Sequence, residues 1–290
     1  MTIIRPEQPG DYAAIAEVNA LAFGGAAEPA LVALLRQSES FMPELSLVIE
    51  EKEQVVGHVL FTPTRIRLNN DMVRAVLLAP IAIHPDHQKK GYGGALIENG
   101  HQIAKMMGYK LSFLIGHSSY YPRFGYQTHA FGVSEVTIPA ADLPDFKLKY
   151  RAPKAADLDD LFGLWLHEEG AIDFAISPGS SIVDWLSPNP ACKSLVFTRD
   201  KQIVGYVRGE IGKPRLFLAA DHDAAREMAR FFCGDGESVT LPLHEKSASV
   251  GAFNASPTFT SWEAAMVCPL TKIQYNQGGR PIWTSAFDIA

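Results

Sequence analysis

The residues best able to do chemistry together lie in one run, Ala79-Pro80-Ile81-Ala82-Ile83-His84-Pro85-Asp86-His87-Gln88-Lys89-Lys90-Gly91-Tyr92-Gly93-Gly94-Ala95-Leu96. A strand-like stretch stops at His84-Pro85-Asp86, a glycine-rich turn follows, and the turn enters an amphipathic helix. Closely spaced glycines let backbone amides converge, and a helix N-terminus adds partial positive charge. Together they make a receptor for a phosphate or pyrophosphate. Lys89 and Lys90 add cationic attraction. Two phosphate loops do not fit. A Walker loop needs Lys followed by Ser or Thr after its glycines, and none follows here. A dinucleotide fingerprint needs a third glycine where Leu96 stands, and an acidic residue that residues 111–116 lack. What remains is Q-x-x-G-x-G-G on Gln88, Gly91, Gly93 and Gly94.

A second cluster, Gly116-His117-Ser118-Ser119-Tyr120-Tyr121-Pro122-Arg123-Phe124-Gly125-Tyr126, reads as a turn, a short helical piece and another turn, rich in aromatics. Alone it fits core packing with a binding lip. Pro80 adds a third observation. Proline cannot donate to a sheet ladder and is rare within a central strand. It is tolerated at an edge, or where a strand parts from its neighbour and frees backbone groups for a ligand.

The loop on Gln88, Gly91, Gly93 and Gly94 resembles the acyl-CoA-binding loop of the GNAT superfamily of N-acyltransferases. The tyrosine four residues before Gly125-Tyr126 resembles a signature of the same superfamily. Further segments are similar to a YhbS-like bacterial subfamily of predicted N-acetyltransferases: Pro43-Glu44-Leu45-Ser46-Leu47-Val48, Val56-Gly57-His58-Val59-Leu60-Phe61 and Leu78-Ala79-Pro80-Ile81-Ala82-Ile83. The likeness runs from Ile3 to about Ile138. It departs at Gly116-His117-Ser118, where that subfamily often has Gly-Asp-Pro. The resemblance implies that the loop amides hold the CoA pyrophosphate while pantetheine enters between parted strands like an added strand. It implies cofactor contacts at Ile81, Ala82, Ile83, Gln88, Lys89, Lys90, Gly91, Tyr92, Gly93, Gly94 and Ala95. Amides on Ile81, Ala82 and Ile83 would be the oxyanion donors. Tyr121 would be the general acid that protonates the departing thiolate, with Tyr120 competing for the role. A phenol near pKa 10 suits a thiolate whose own acid is of comparable strength.

The base is not fixed by the pattern. Glu28, His58, His84 and His117 are candidates, with His117 ahead because it ends the strand leading to Tyr121. A water relay or an already neutral amine serves equally. The three cysteines, Cys192, Cys233 and Cys268, lie outside the first half. Direct amine attack is therefore expected rather than an acyl-cysteine intermediate.

The elements that must position these residues follow from periodicity. In the first half we expect strands at 3–5, 45–50, 54–67, 73–83 and 111–115, with helices at 11–23, 29–37 and 93–107. In the second half we expect a helix at 223–232 and strands at 238–243 and 263–269. An internal echo links the halves: Ser46-Leu47-Val48, Gln54-Val55-Val56-Gly57 and Val59 match Ser194-Leu195-Val196, Gln202-Ile203-Val204-Gly205 and Val207 at one constant offset. The expected fold is α/β (α+β), two tandem GNAT-like domains, each a mixed and mostly antiparallel sheet flanked by helices, with a splayed strand pair in the first. The expected divisions are 1–145 for the acyl-CoA domain and 146–274 for a degenerate GNAT-like domain. A tail at 275–290 is expected to dock on the body. Before the second helix stands Ala219-Ala220-Asp221-His222-Asp223, whose carboxylates would repel a pyrophosphate.

Composition bounds the partners. With 26 Lys+Arg against 32 Asp+Glu the net charge is −6, which disfavours non-specific nucleic-acid binding. No apolar run approaches the ~20 residues that span a bilayer. No secretory signal is read at the N-terminus, and a cytoplasmic protein with reduced thiols is expected. The expected function is transfer of an acyl group, acetyl first of all, from acyl-CoA to a primary amine on a small molecule or peptide, with no metal. The alternative is a CoA-binding module whose second half recruits a protein partner. A nucleotide-dependent enzyme is disfavoured by the missing lysine and glycine. The acceptor and the oligomeric state stay open, a homodimer among the options.

Overall fold

The computed structural model describes residues 2–187 and 189–275. The chain begins with β1 (Thr2–Pro6), α1 (Tyr12–Phe23), α2 (Ala27–Leu35), β2 (Ser46–Glu51), β3 (Gln54–Leu68) and β4 (Asp71–Ile83). Then come α3 (Tyr92–Met106), β5 (Leu111–Ile115) and β6 (Gly132–Pro139). The second half holds β7 (Lys149–Arg151), α4 (Leu158–Glu169), β8 (Ala175–Ile176), β9 (Lys193–Arg199), β10 (Gln202–Glu210) and β11 (Lys213–Ala219). It closes with α5 (His222–Cys233), β12 (Ser238–Leu241), β13 (Thr258–Ser261) and β14 (Ala265–Pro269). None of the described helices is long and apolar enough to cross a membrane.

Local chemistry explains the boundaries. Alanines fill α1, and Gly24 at φ 76° ends it by donating its N–H to the Ala20 carbonyl. The β3–β4 hairpin turns on Asn69 and Asn70, both at positive φ, as a tight hairpin demands. α2 starts two residues before the expected 29, because Pro29 fits inside a first turn whose N–H groups need no intrahelical partner.

The large sheet runs β1-β2-β3-β4-β5-β14, with β8 beside the outer part of β3. β1 to β4 are mutually antiparallel. α3 returns the chain so that β5 lies parallel to β4. A second sheet, β11-β10-β9-β7, repeats the first. The repetition extends to detail. Ile49 faces Gly57 beside a register shift, as Phe197 faces Gly205. Lys52 and Glu53 turn with positive φ, as do Asp200 and Lys201. Arg5 pairs with Asp11 at 2.6 Å, and Arg151 with Asp157 at 2.6 Å. α1 and α4 each span 12 residues. The echo is a duplicated unit.

The division between the halves needs correcting. The expected seam at 145/146 does fall between β6 and β7, but strand pairing crosses it in both directions. β6 pairs with β12 and β13 of the second half, and β14 pairs with β5 of the first. Each half thus lends a strand to the other. Phe174 and Ile176 complete this union by packing with Phe113 and Phe131 in one core. Neither β8 nor the β12-β6-β13 sheet was expected. The tail at 276–290 lies outside the described residues; Tyr275 just before it donates its hydroxyl to Gln127 Oε1 at 2.7 Å.

A buried polar network fastens β1, α1 and α2 to β2 and β3. Arg36 holds Glu7 through two bonds of 2.7 and 2.8 Å, and Ser46 Oγ donates to Glu7 at 2.6 Å. His58 is fully buried. Asn19 donates to its Nδ1 at 3.3 Å, so Nε2 carries the hydrogen given to Ser46 Oγ at 3.0 Å. Burial holds the imidazole below its usual pKa, outweighing the pull of Glu7. Burial pushes the Glu7 carboxyl up, but its bonds from Arg36, His58 and Ser46 prevail and bring it from 4.5 to about 2. A depressed carboxyl stabilises the fold above its unfolded value and ceases to as pH falls through its folded value. The stability gap between the wild type and Glu7→Gln, on the order of 3 kcal/mol at neutral pH, should therefore shrink between about pH 4.5 and 2 in denaturant titrations. A gap independent of pH would contradict this reading.

Candidate active site

β4 and β5 run together only at Ala75–Leu111, Val76–Ser112 and Leu77–Phe113. Beyond Leu77 the strands part, while β4 keeps its bonds to β3 as far as Ile83. Pro80 lies at the register shift between β3 and β4, where Ala79 and Pro80 have no cross-strand partner, so no ladder donor is lost there. The alternation of an antiparallel pair decides which groups face the gap. His84 N–H bonds to the Val56 carbonyl directly opposite, so Ala82 likewise faces His58 across the β3 ladder. The N–H groups of Ile81 and Ile83 therefore point into the gap. Ala82, expected with them, is turned to β3.

The loop after β4 ends in the helix α3, capped by Gly91 at φ 83° with no side-chain cap bond. The first intrahelical bond runs from Ala95 N–H to the Gly91 carbonyl. Among the described residues, the amides of residues 89–94 have no protein acceptor. Six consecutive donors at a helix N-terminus form an anion receptor. Four expectations change here. The Ala95 amide is used by the helix. Gln88 gives its N–H to the Pro85 carbonyl, and its side-chain amide donates to the Ile83 carbonyl at 3.2 Å. The Lys90 ammonium is paired with Glu51 at 3.3 Å, and the Tyr92 hydroxyl donates to Glu51 at 2.8 Å. Lys89 makes no ion pair among the described residues and stays exposed beside the receptor.

Glu51 was readable in the sequence only as a turn residue. Its carboxylate also lies 2.7 Å from His87 Nδ1, so one side chain at the β2–β3 turn holds both flanks of the loop. Its pKa is held below the usual range, by the Tyr92 bond first and Lys90 after it.

The aromatic cluster lies against the start of α3. Tyr121 opens a short 3₁₀ turn, Tyr121–Phe124, closed by Gly125 at φ 85°. Phe124 packs on Gly94, and the Tyr120 hydroxyl on Gly93, so neither glycine has room for a side chain. Tyr121 lies instead against Gly116, at the end of β5, edge-on to Tyr120 and Tyr126. Among the described residues, neither the Tyr120 nor the Tyr121 hydroxyl has a hydrogen-bond partner. Burial pushes the Tyr121 phenol up to about 12, above the expected value near 10, and raises Tyr120 as well. Behind them the Tyr126 hydroxyl is fixed by Ser112 Oγ at 2.6 Å and His101 Nε2 at 3.0 Å.

The base candidates separate. His58 belongs to the buried network and cannot reach a substrate. The His84 ring accepts from the Asp86 amide at 3.3 Å. His117 is exposed just beyond β5, and its carbonyl accepts from Tyr120 N–H at 2.9 Å. Glu28 is partly exposed at the start of α2. The cysteine argument also changes its footing, because β14 brings Cys268 into the first sheet beside Tyr126. Burial raises that thiol to about 11, so it carries little nucleophilic thiolate.

In the second half the corresponding helix start is filled by the chain itself. The Asp221 carboxylate accepts from Ala224 N–H at 2.7 Å and pairs with Arg199 at 2.9 Å. A cavity of about 460 Å³ beside it is lined by His167, His222 and Asp223. The residues described contain no cluster able to hold a metal.

Residues 3–129 match the model described as an acetyltransferase (GNAT) domain. Over 117 residues the chain is 40% identical to the uncharacterized N-acetyltransferase YjhQ of Escherichia coli K12, a match that takes in 40% of this chain and 65% of that relative. The whole fold is similar to a GCN5-related N-acetyltransferase from Kribbella flavida, with TM-score 0.73 and 17% identity over 93% of this chain and 72% of that one. It is also similar to a probable N-acyltransferase of unknown function from Enterococcus faecalis V583, with TM-score 0.70 and 15% identity over 93% and 72%. Residues 3–129 are thus similar to a GNAT acetyltransferase domain, and the unit that follows repeats part of the same fold.

A Cβ at Gly116 would overlap the Tyr121 ring and come within 3.2 Å of Leu114. Gly116→Ala should cost about 1–3 kcal/mol through overpacking and alter the near-ultraviolet circular dichroism of the tyrosine cluster. Wild-type stability and an unchanged spectrum would contradict this packing.

Proposed function

We propose that the protein is an acyl-CoA-dependent N-acyltransferase, with acetyl-CoA the expected donor and a primary amine the acceptor. The observation that carries this reading is the set of unbonded amides at residues 89–94, continuous with the gap between β4 and β5. A diphosphate satisfies those amides, and an extended pantetheine arm bonds the strand edge left bare beside Ile81 and Ile83. The family match of the first half supports the same donor.

In this reading the thioester carbonyl oxygen accepts from an Ile81 or Ile83 amide, and the neutral amine attacks the carbonyl carbon. The C–S bond breaks as the C–N bond forms, so no acyl-enzyme is required. Tyr121 stays protonated through the neutral range because its pKa is near 12. Full ionisation before bond cleavage is therefore uphill, and its proton moves as charge develops on sulfur. His117 is assigned as the exposed group nearest in sequence that can take the proton lost by the amine. The second half, whose helix start is occupied by Asp221, does not take the donor and shapes the acceptor side.

Purified protein with acetyl-CoA and a broad panel of amines should release CoA thiol above hydrolysis. Tyr121→Phe should lower turnover about 10²-fold or more while CoA binding survives, and Tyr120→Phe should lower it less. Acetyl-CoA binding with no amine-dependent release would favour a binding module instead. Equal losses in both variants would remove Tyr121 from its assigned role.

A further inference from the structure

The anion receptor is held open by a carboxylate. Glu51 receives the Tyr92 hydroxyl at 2.8 Å and the Lys90 ammonium at 3.3 Å, and lies 2.7 Å from His87 Nδ1. These three partners flank the bare amides: His87 precedes them, Lys90 lies among them and Tyr92 begins α3. Glu51 itself is anchored, since it pairs with Gln54 across a tight turn of the β2–β3 hairpin, within the sheet that also carries β4. The backbone of the loop is costly to hold in this form. Lys89 at φ 64° and Gly91 at φ 83° both lie in the left-handed region, and for lysine that conformation is unfavourable. No backbone bond within residues 89–94 offsets it among the described residues.

We propose that Glu51 is a positioning residue for the acyl-CoA site, clamping residues 87–92 so that the amides of residues 89–94 converge before the donor arrives. This rests on the reading of that receptor as the diphosphate site. The clamp accounts for two otherwise odd features: an acidic side chain beside an anion site, and a loop lysine whose charge is already neutralised. It also reverses the sign that simple electrostatics gives. Removing a negative charge near an anion site should tighten binding by Coulomb attraction; removing a clamp should weaken it, because the donor must then order the loop itself.

The test is titration calorimetry with CoA on the full chain and its Glu51→Gln variant, together with hydrogen exchange of the segment 84–95 in the CoA-free proteins. Glu51→Gln should weaken CoA about ten-fold, the equivalent of about 1.4 kcal/mol. Its binding should also fall more steeply with salt, because Lys90 is released to meet the ligand. Exchange in the segment should accelerate while the thermal midpoint stays unchanged. Tyr92→Phe, which removes one of the three contacts and keeps the ring, should fall between the two. Equal or tighter CoA binding by Glu51→Gln, or unaltered exchange, would overturn the proposal. Wild-type protein that binds no CoA would overturn the diphosphate reading instead, and the exchange comparison would still decide whether Glu51 orders the loop.

Discussion

Past Leu77, β4 keeps one neighbour and loses the other. The candidate site of the first half follows from the backbone polarity this leaves. A central strand with an unpaired edge carries donors and acceptors that need a partner, and here the opening leads directly to the bare first turn of α3. Pro80 is tolerated because it lies at the β3–β4 register shift, where it has no cross-strand partner. Gln88 closes the carbonyl of Ile83, while the Ile81 and Ile83 amides and those of residues 89–94 are left as donors without a protein acceptor among the described residues. Tyr120, Tyr121 and Phe124 cover the same opening from β5, seated on Gly93, Gly116 and Gly94. The glycines thus serve two needs, a left-handed turn at Gly91 and close aromatic contact at the others.

The duplicated half shows what the receptor requires by lacking it. The two hairpins share their turn, their bulge and the Arg–Asp pair that opens the first helix. They differ where α3 and α5 begin. α5 is capped by Asp221, whose carboxylate takes the place an external anion would need, and Arg199 neutralises it. A helix that caps itself is more stable alone and offers nothing to a phosphate. The strand exchange through β6 and β14 ties this half to the first. In particular, β14 borders β5 and brings Cys268 and Met266 into the core behind the tyrosines.

Much of this could be read from residue order. The elements from β1 to β5, the hairpin echo, the glycine loop and the parting at Pro80 all carry strong local signals of periodicity or turn chemistry. What could not be read depends on pairing between distant segments. Nothing local in Ala175-Ile176 marks it as a strand, and β14 carries no sign that its partner is β5. The same limit explains the corrections at single residues. Strand alternation, fixed by the β3 register, turns Ala82 away from the gap. A carboxylate about 40 positions earlier in the chain claims Lys90 and Tyr92, and no spacing rule connects them. Burial of the Tyr121 phenol depends on Gly116 and Tyr126 closing around it, so its raised pKa was invisible as well.

The central claim is that the amides of residues 89–94 hold the diphosphate of an acyl carrier. Amide nitrogen–proton spectra of the labelled protein, recorded as CoA is added, test it most directly. The account predicts that resonances of residues 89–94, with those of Ile81 and Ile83, move most and reach saturation together. Saturable CoA binding that leaves those resonances in place and shifts residues around α5 would contradict it.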